Sequence, residues 1–337
     1  MKPALLKVEG LKKYFPIKGG IFNKTVAHVQ AVDEIAFEVP RGETLGIVGE
    51  SGCGKSTTAR LLMRLISPDQ GAVVFDGMEV GRSDGISVRD MRKRMQMVFQ
   101  DSYSSLNPRM PIEGSIAFGP IVHGLQPSVA RQRARELLAK VGLDPNLFIR
   151  RYPHELSGGQ RQRINIARAL ALEPDVLILD EAVSALDKSV EAQVLNLLTE
   201  LKQELNLTFI FISHDLNVVR YMSDRVLVMY LGKIVEIGTV DEIYDSPRHP
   251  YTAALLSAMP SMDPDKRTTV SPLTGDPPNP INPPSGCRFR TRCPFAERVC
   301  SEMEPELQSL SGSVSQKVAC HMTNPSSGHT KVNSKES

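Results

Sequence analysis

The chain has no apolar run long enough to cross a bilayer. Its longest candidates, residues 176–179, Thr208–Ile212 and 226–231, fall far short of the roughly 20 residues a membrane helix needs. It also has little excess charge. Forty basic residues against 38 acidic ones leave a net +2, which excludes a nucleic-acid binder built on bulk electrostatics. The first ten residues carry Lys2, Lys7 and Glu9 and no apolar core, so they do not read as a signal peptide. A cytoplasmic chain is expected, with any membrane association made through a partner. Cysteine is scarce, and no C-x-x-C pair of the zinc-ribbon kind occurs. Cys53 stands alone in a glycine-rich stretch, while Cys287, Cys293, Cys300 and Cys320 cluster near the end. In a reducing compartment those four do not read as a disulfide framework.

What is present is α/β grammar over residues 1 to about 245, with short apolar runs alternating with helical stretches. Strands are expected at 44–48, 95–99, 176–179 and 208–213, and helices at 55–65, 128–141, 158–172 and 188–206, with Asp187 capping the last. Val176-Leu177-Ile178-Leu179 does not alternate with polar residues, as befits a strand buried on both faces of a parallel sheet. Residues 260–285 hold eight prolines, which favour an extended connector over helix or central strand. The segment from Thr323 is polar and expected to be disordered.

The strongest signal is Gly49-Glu50-Ser51-Gly52-Cys53-Gly54-Lys55-Ser56-Thr57, a G-x-x-x-x-G-K-[ST] string between a strand and a helix. Glycines let the backbone curl so that successive N–H groups converge on phosphate oxygens. The helix starting near Lys55 adds its positive dipole end. Lys55 can reach the β- and γ-phosphates, and Ser56 can offer its hydroxyl to Mg²⁺. Cys53 reads as a small loop residue and not as a nucleophile. The run 176–179 ends in Asp180-Glu181, at the strand end where open α/β sheets bind ligands. Asp180 suits Mg²⁺, directly or through water, and Glu181 suits an attacking water. Ser213, His214 and Asp215 are not a hydrolase triad, because adjacent strand residues point to opposite faces.

With Leu156-Ser157-Gly158-Gly159-Gln160 placed between these two elements, the sequence resembles the ATP-binding cassette family. The resemblance implies a phosphate-loop ATPase core, a RecA-like parallel sheet, with an antiparallel β subdomain and an inserted α-helical subdomain at about 101–170. It implies a head-to-tail dimer in which the LSGGQ string closes on ATP held by a second cassette. Residue by residue, Gln100 looks like the Q-loop glutamine, Ser184-Ala185-Leu186-Asp187 like the D-loop, and His214 like the switch histidine. Tyr14, or Phe15 beside it, looks like the aromatic that stacks on adenine, with an insertion at 16–28 behind it. The family usually carries Pro-Thr after the catalytic glutamate, where this chain has Ala182-Val183. Hydrolysis is expected to survive that change, with D-loop placement and rate altered.

The insertion at 16–28, residues 100–109 and Pro247-Arg248-His249-Pro250-Tyr251-Thr252 extend the likeness to ATP-binding subunits of bacterial oligopeptide/dipeptide permeases. That implies a peripheral subunit on the cytoplasmic face of the inner membrane. Its partners would be a second, paralogous ATPase subunit, two membrane-spanning permease subunits and, indirectly, a substrate-binding protein, with no nucleic acid. Peptide is the implied cargo; nickel or glutathione importers, and a soluble non-transport ATPase, are the alternatives. Within 102–122, Met110, Pro111, Ile112, Ile116, Phe118, Pro120 and Ile121 would line a groove for a helix of the membrane subunit. Related subunits carry a [4Fe-4S] cluster on a similar cysteine set, so Cys287, Cys293, Cys300 and Cys320 are expected to hold one, with zinc or no metal as alternatives. Arg288, Arg290 and Arg292 interleave with the first two cysteines and are expected to lower their thiol pKa. His321 is a spare ligand candidate. The expected division is an ATP-binding domain at 1–258, the proline-rich and four-cysteine segment at 259–322, and the tail at 323–337.

Overall fold

The computed structural model describes residues 3–19, 23–259, 279–310, 313 and 315–333. The chain forms two compact units. The first comprises the start of the chain to Leu6, Val39–Thr44 and Val74–Ser213; the second comprises Lys7–Glu38, Leu45–Val73 and the chain from His214 on. In chain order the described strands are β1 (Ala4–Gly19), β2 (Lys24–Pro40), β3 (Thr44–Val48), β4 (Gln70–Phe75), β5 (Met78–Glu79), β6 (Met95–Val98), β7 (Val176–Asp180), β8 (Thr208–Ile212), β9 (Arg225–Tyr230), β10 (Lys233–Thr239), β11 (Gln308–Ser309) and β12 (Lys317–Val318). The described α-helices are α1 (Lys55–Leu62), α2 (Val88–Arg94), α3 (Ile112–Val122), α4 (Pro127–Lys140), α5 (Pro145–Phe148), α6 (Gly158–Leu170), α7 (Lys188–Leu205), α8 (Leu216–Met222), α9 (Val240–Asp245), α10 (Pro250–Ser257) and α11 (Arg298–Glu302). Among the described residues no helix is long and apolar enough to cross a membrane.

In the first unit β6, β7 and β8 run parallel, with Val98 opposite Leu179 and Asp180 opposite Ile212. Every residue of β7 and β8 is buried, as the unbroken apolar runs require. Three helices, α3, α4 and α6, pack on one another through Ile112, Ile116, Ala130, Ala134, Leu138 and Ile164. Of the residues expected to form a groove, Ile112, Ile116 and Pro120 are therefore core of this helical cluster. Phe118, Ile121 and Val122 stay at the surface. Asp187 caps α7 by accepting from the Val190 amide, and Asn206 ends it in the left-handed region at φ 51°.

In the second unit β3 runs parallel to β9, with Val48 opposite Val228, and β9 pairs antiparallel with β10. The C-terminal segment extends this sheet: β12 joins β10 with Val318 opposite Glu236, and β11 joins β12. Two-residue strands leave no periodicity in the sequence, and none was expected there.

Three expectations change. Much of the insertion at 16–28 is strand, because β1 runs on to Gly19 and β2 begins at Lys24; residues 20–22 lie outside the described residues. Residues 323–333, expected to be disordered, make defined contacts: His329 is buried with Nε2 2.9 Å from the Phe295 carbonyl oxygen, and Thr330 hydrogen-bonds Glu297. A buried imidazole with its partner supplies an anchor that polar composition alone does not reveal. Helix α1 stops at Leu62, three residues early, as the chain turns through Arg64 at φ 53°. Of the proline-rich connector, residues 260–278 lie outside the described residues.

Gly46 in β3 faces α8 so closely that a Cβ would lie 2.5 Å from Ser223 Oγ and 2.6 Å from Val219 Cγ1. Gly46→Ala is expected to cost about 1–3 kcal/mol through overpacking, read as a lower midpoint in urea unfolding. An unchanged midpoint would show that α8 retreats freely.

Candidate active site

The phosphate loop lies in the second unit, from the end of β3 to the start of α1. Two of its glycines are obligatory. Gly49 sits at φ 147°, where a Cβ would lie 2.2 Å from the Met229 carbonyl oxygen, and Gly54 at φ 111°, where one would lie 2.3 Å from that of Ala31. Gly54 also occupies the N-cap position of α1, so the first amides of that helix face the loop. Lys55 is buried, and its ammonium donates to the carbonyls of Gly49 at 2.7 Å and Glu50 at 3.0 Å. Cys53 is buried beneath the loop, and burial pushes its thiol pKa up against the pull of Lys55, which fits a packing residue.

Glu50 is held twice. Its amide donates to the Tyr251 hydroxyl at 2.9 Å, and its carboxylate accepts two bonds from Arg292 at 2.7 and 3.1 Å. Tyr251 is placed by the string 247–252. The amides of Arg248 and His249 donate to the buried Glu236 carboxylate at 2.8 and 3.0 Å, and His249 Nδ1 accepts from the Tyr251 amide at 3.0 Å. Complete burial lowers the His249 pKa to about 3, so the ring is a neutral acceptor. Tyr14 is half-buried, and its hydroxyl donates to Asp33 at 2.6 Å. Burial, then that bond, raises its pKa to about 12. Burial would raise the Asp33 pKa, but Tyr14, Lys233 and Arg288 together hold it below the ordinary carboxylate range. Phe15 is exposed, with Lys13 over its ring. His214, also in this unit, is exposed.

In the first unit Asp180 ends β7, buried, and Glu181 follows at φ 49°. Such a backbone is uncommon for a residue with a side chain, and it ends the run of the strand. The Glu181 amide donates to the Ile212 carbonyl at 2.9 Å, and its carboxylate accepts from Gln100 Nε2 at 2.9 Å, so these two sequence-predicted residues meet. Ala182 and Val183 are buried, and the turn closes through the amides of Ser184 and Leu186. At the start of α6, Ser157 and Gln160 form a reciprocal capping box. A Cβ on Gly159 would lie 2.4 Å from Val190 Cγ1, so this glycine is fixed by contact with α7. Asn165 and Arg168 of α6 donate to the carbonyls of Ser102 and Ser105, tying the stretch after Gln100 to the helix that LSGGQ opens.

The four late cysteines are all free thiols and line one small void with His321 and His329. His321 Nε2 is engaged by the Met303 carbonyl at 2.9 Å. Among the described residues no group of three or more His, Cys, Asp or Glu stands close enough to hold a metal ion. The expected effect of the arginines on the thiols is overturned. Arg288 turns to Asp33, Gln30 and the Leu231 carbonyl, Arg290 to Ser285, and Arg292 to Glu50. With those cations spent elsewhere, burial pushes Cys287 up to about 11 and Cys320 up to about 12, and raises Cys293 as well. Sequence reasoning missed Asp33, and it named Tyr251 only within the 247–252 string and Arg288 and Arg292 only as neighbours of the thiols.

Residues 32–184 match the ABC transporter family, and residues 235–300 match the C-terminal region of oligopeptide/dipeptide transporters. The chain is 51% identical over 324 residues to the oligopeptide transport ATP-binding protein AppF of Bacillus subtilis (strain 168), covering 94% of this chain and 97% of that one. It is 51% identical over 332 residues to the oligopeptide transport ATP-binding protein OppF of Escherichia coli (strain K12), covering 96% and 98%. Among solved structures it resembles an ATP-binding cassette captured as a dimer in a post-hydrolysis state with ADP and Pi. That match has a TM-score of 0.59 at 26% identity, over 70% of this chain and 98% of that one.

Raised thiol pKa values have a measurable sign. In metal-free protein Cys287 and Cys320 stay protonated at neutral pH, and their alkylation by iodoacetamide at pH 8.5 is expected to run about tenfold or more below free cysteine, quickening as pH climbs. Alkylation at the free-thiol rate would show that the void is open to solvent.

Proposed function

The chain belongs to the ATP-binding proteins of the ABC transporter family, and we propose that it hydrolyses ATP to drive peptide import through partner membrane subunits. The observation that carries this reading is the phosphate loop: two glycines that admit no side chain, the amides at the start of α1 and the Lys55 ammonium form a site for a triphosphate. Tyr14 stacks on adenine. The amides of residues 49–57 and Lys55 hold the phosphates. Glu181 polarises the attacking water, Gln100 positions Glu181, and His214 contacts the γ-phosphate. Ser56, Gln100 and Asp180 would hold Mg²⁺, which when bound neutralises charge on the β- and γ-phosphates.

The partner we propose is a second, paralogous cassette, as the family resemblance implies. Gly158 and Gly159, at the start of α6, would present helix amides to a γ-phosphate on the partner, and residues 184–187 would cross to it. The similar cassette solved as a dimer supports that arrangement. Exposed Phe118, Ile121 and Val122 offer the contact for a membrane-subunit helix. The cargo rests on the relatives' names, oligopeptide in both cases. In this reading the ATP-binding domain spans 1–258, followed by the proline-rich and four-cysteine segment at 259–322 and the tail at 323–337. The subunit sits on the cytoplasmic face of the membrane.

The donor set of the C-terminal void suits a [4Fe-4S] cluster held by Cys287, Cys293, Cys300 and Cys320. Four free thiols line the void, together with histidines that include His321 and His329, and thiolate donors favour iron–sulfur chemistry over harder cations. Its role would be to pin the segment in place.

Two outcomes test the assignment. Glu181→Gln should bind ATP and stabilise the dimer while turnover falls at least about 100-fold, measured by phosphate release and sizing chromatography; undiminished turnover would remove Glu181 from its role. Anaerobically purified protein should contain iron and acid-labile sulfide in equal amounts and lose both in Cys293→Ser. Stoichiometric zinc, or no metal, would overturn the cluster.

A further inference from the structure

The cysteine segment does more than fill a void. Between Cys287 and Cys293 it sends two guanidinium groups into the second unit, towards opposite ends of the nucleotide site. Arg292, its side chain 5% exposed, makes the two-pronged contact with Glu50 inside the phosphate loop. Arg288, 8% exposed, meets Asp33, itself 8% exposed, which accepts the Tyr14 hydroxyl. Phe289 between them is 2% exposed and meets Tyr230 edge-on at 5.3 Å and Tyr251 at 5.4 Å. The segment cannot shift without disturbing that aromatic cluster, and Tyr251 is the residue whose hydroxyl holds the Glu50 amide.

We propose that the four-cysteine segment is a clamp on the nucleotide site, in which Arg292 and Arg288 are positioning residues that fix the phosphate loop through Glu50 and the Tyr14 ring through Asp33. The physical case rests on geometry and burial. A bidentate guanidinium–carboxylate pair restricts both partners in angle as well as distance. With its amide on Tyr251 and its carboxylate on Arg292, Glu50 is fixed at both ends, and the amides of the following loop residues inherit that placement. Asp33 is fixed on the other side by Lys233 at 3.0 Å and by its own amide on the Gly232 carbonyl at 2.9 Å. Its carboxylate is thus a stationary acceptor that orients the Tyr14 ring. The cysteines bracket the clamp: Cys287 donates its amide to the Cys300 carbonyl at 2.8 Å, and Arg292 directly precedes Cys293.

This inference rests on the reading that the loop binds ATP, and the experiment separates the two. Affinity of the full chain for a fluorescent ATP analogue, its unfolding midpoint, and KM and kcat for ATP in the assembled transporter are measured for Lys55→Ala, Arg292→Ala, Arg292→Lys, Arg292→Glu, Glu50→Arg and the exchange that combines the last two. Arg292→Ala should weaken binding and raise KM by about tenfold with kcat within about twofold, the pattern of lost uniform binding. Arg292→Lys, which keeps the charge but not the fork, should lose about threefold, and the exchange should recover most of the affinity that either single reversal loses. If Lys55→Ala abolishes binding while every Arg292 variant binds as the parent does, the clamp is wrong. Should Lys55→Ala itself bind normally, the phosphate-loop reading fails instead. A purely structural ion pair would lower the unfolding midpoint of Arg292→Lys without moving KM, and that result also overturns the clamp.

Discussion

A loop that turns its amides inward on a triphosphate cannot carry side chains at its bends. Here the constraint is steric and severe, because Cβ atoms at Gly49 and Gly54 would sit inside van der Waals contact of the Met229 and Ala31 carbonyls. The loop is packed against its neighbours from beneath, so its shape is set before any ligand arrives. Preorganisation of this kind lets a binding site spend its interactions on the ligand and not on ordering itself. The rest of the second unit serves that shape: Cys53 fills the space below, Tyr251 holds the backbone and Arg292 holds the neighbouring carboxylate.

The first unit solves a different problem, that of linking distant short motifs into one body. Gln100 is bonded to Glu181, the stretch after Gln100 is bonded to α6, and α6 begins with the signature residues. Gly159 then seats that helix against α7, whose cap is the last residue of the D-loop. Hydrogen bonds to backbone carbonyls are well suited to such coupling, since they fix main-chain position whatever the neighbouring side chains are. The Gln100 stretch and the start of α6 are thus joined by a continuous set of contacts.

Much of this was legible in the sequence because the chemistry is local. The phosphate loop, Asp180-Glu181 and the Ser157 cap are each written in fewer than ten consecutive residues, and strand burial followed from the unbroken run at 176–179. What could not be read was long-range. Arg292 meets Glu50 across 242 positions and Arg288 meets Asp33 across 255, and no spacing rule encodes such a pair. Locally the arginines read as neighbours of the thiols; in the fold their side chains point away, and the thiols are governed by burial instead. The same holds for β11 and β12, which exist only because β10 offers an edge, and for the contacts of residues 323–333, whose anchor is one buried ring.

That ring has a practical corollary. His329 seals one wall of the sulfur-lined void, gripped by Phe295 and Glu297 from within the cysteine segment itself. A version of the protein cut before His329, a choice that polar composition alone invites, would unstopper the chamber. Air and adventitious copper or zinc would then compete for sulfurs that the intact chain keeps sheltered. A segment that looks dispensable by composition is, in this molecule, one wall of the thiol-lined void.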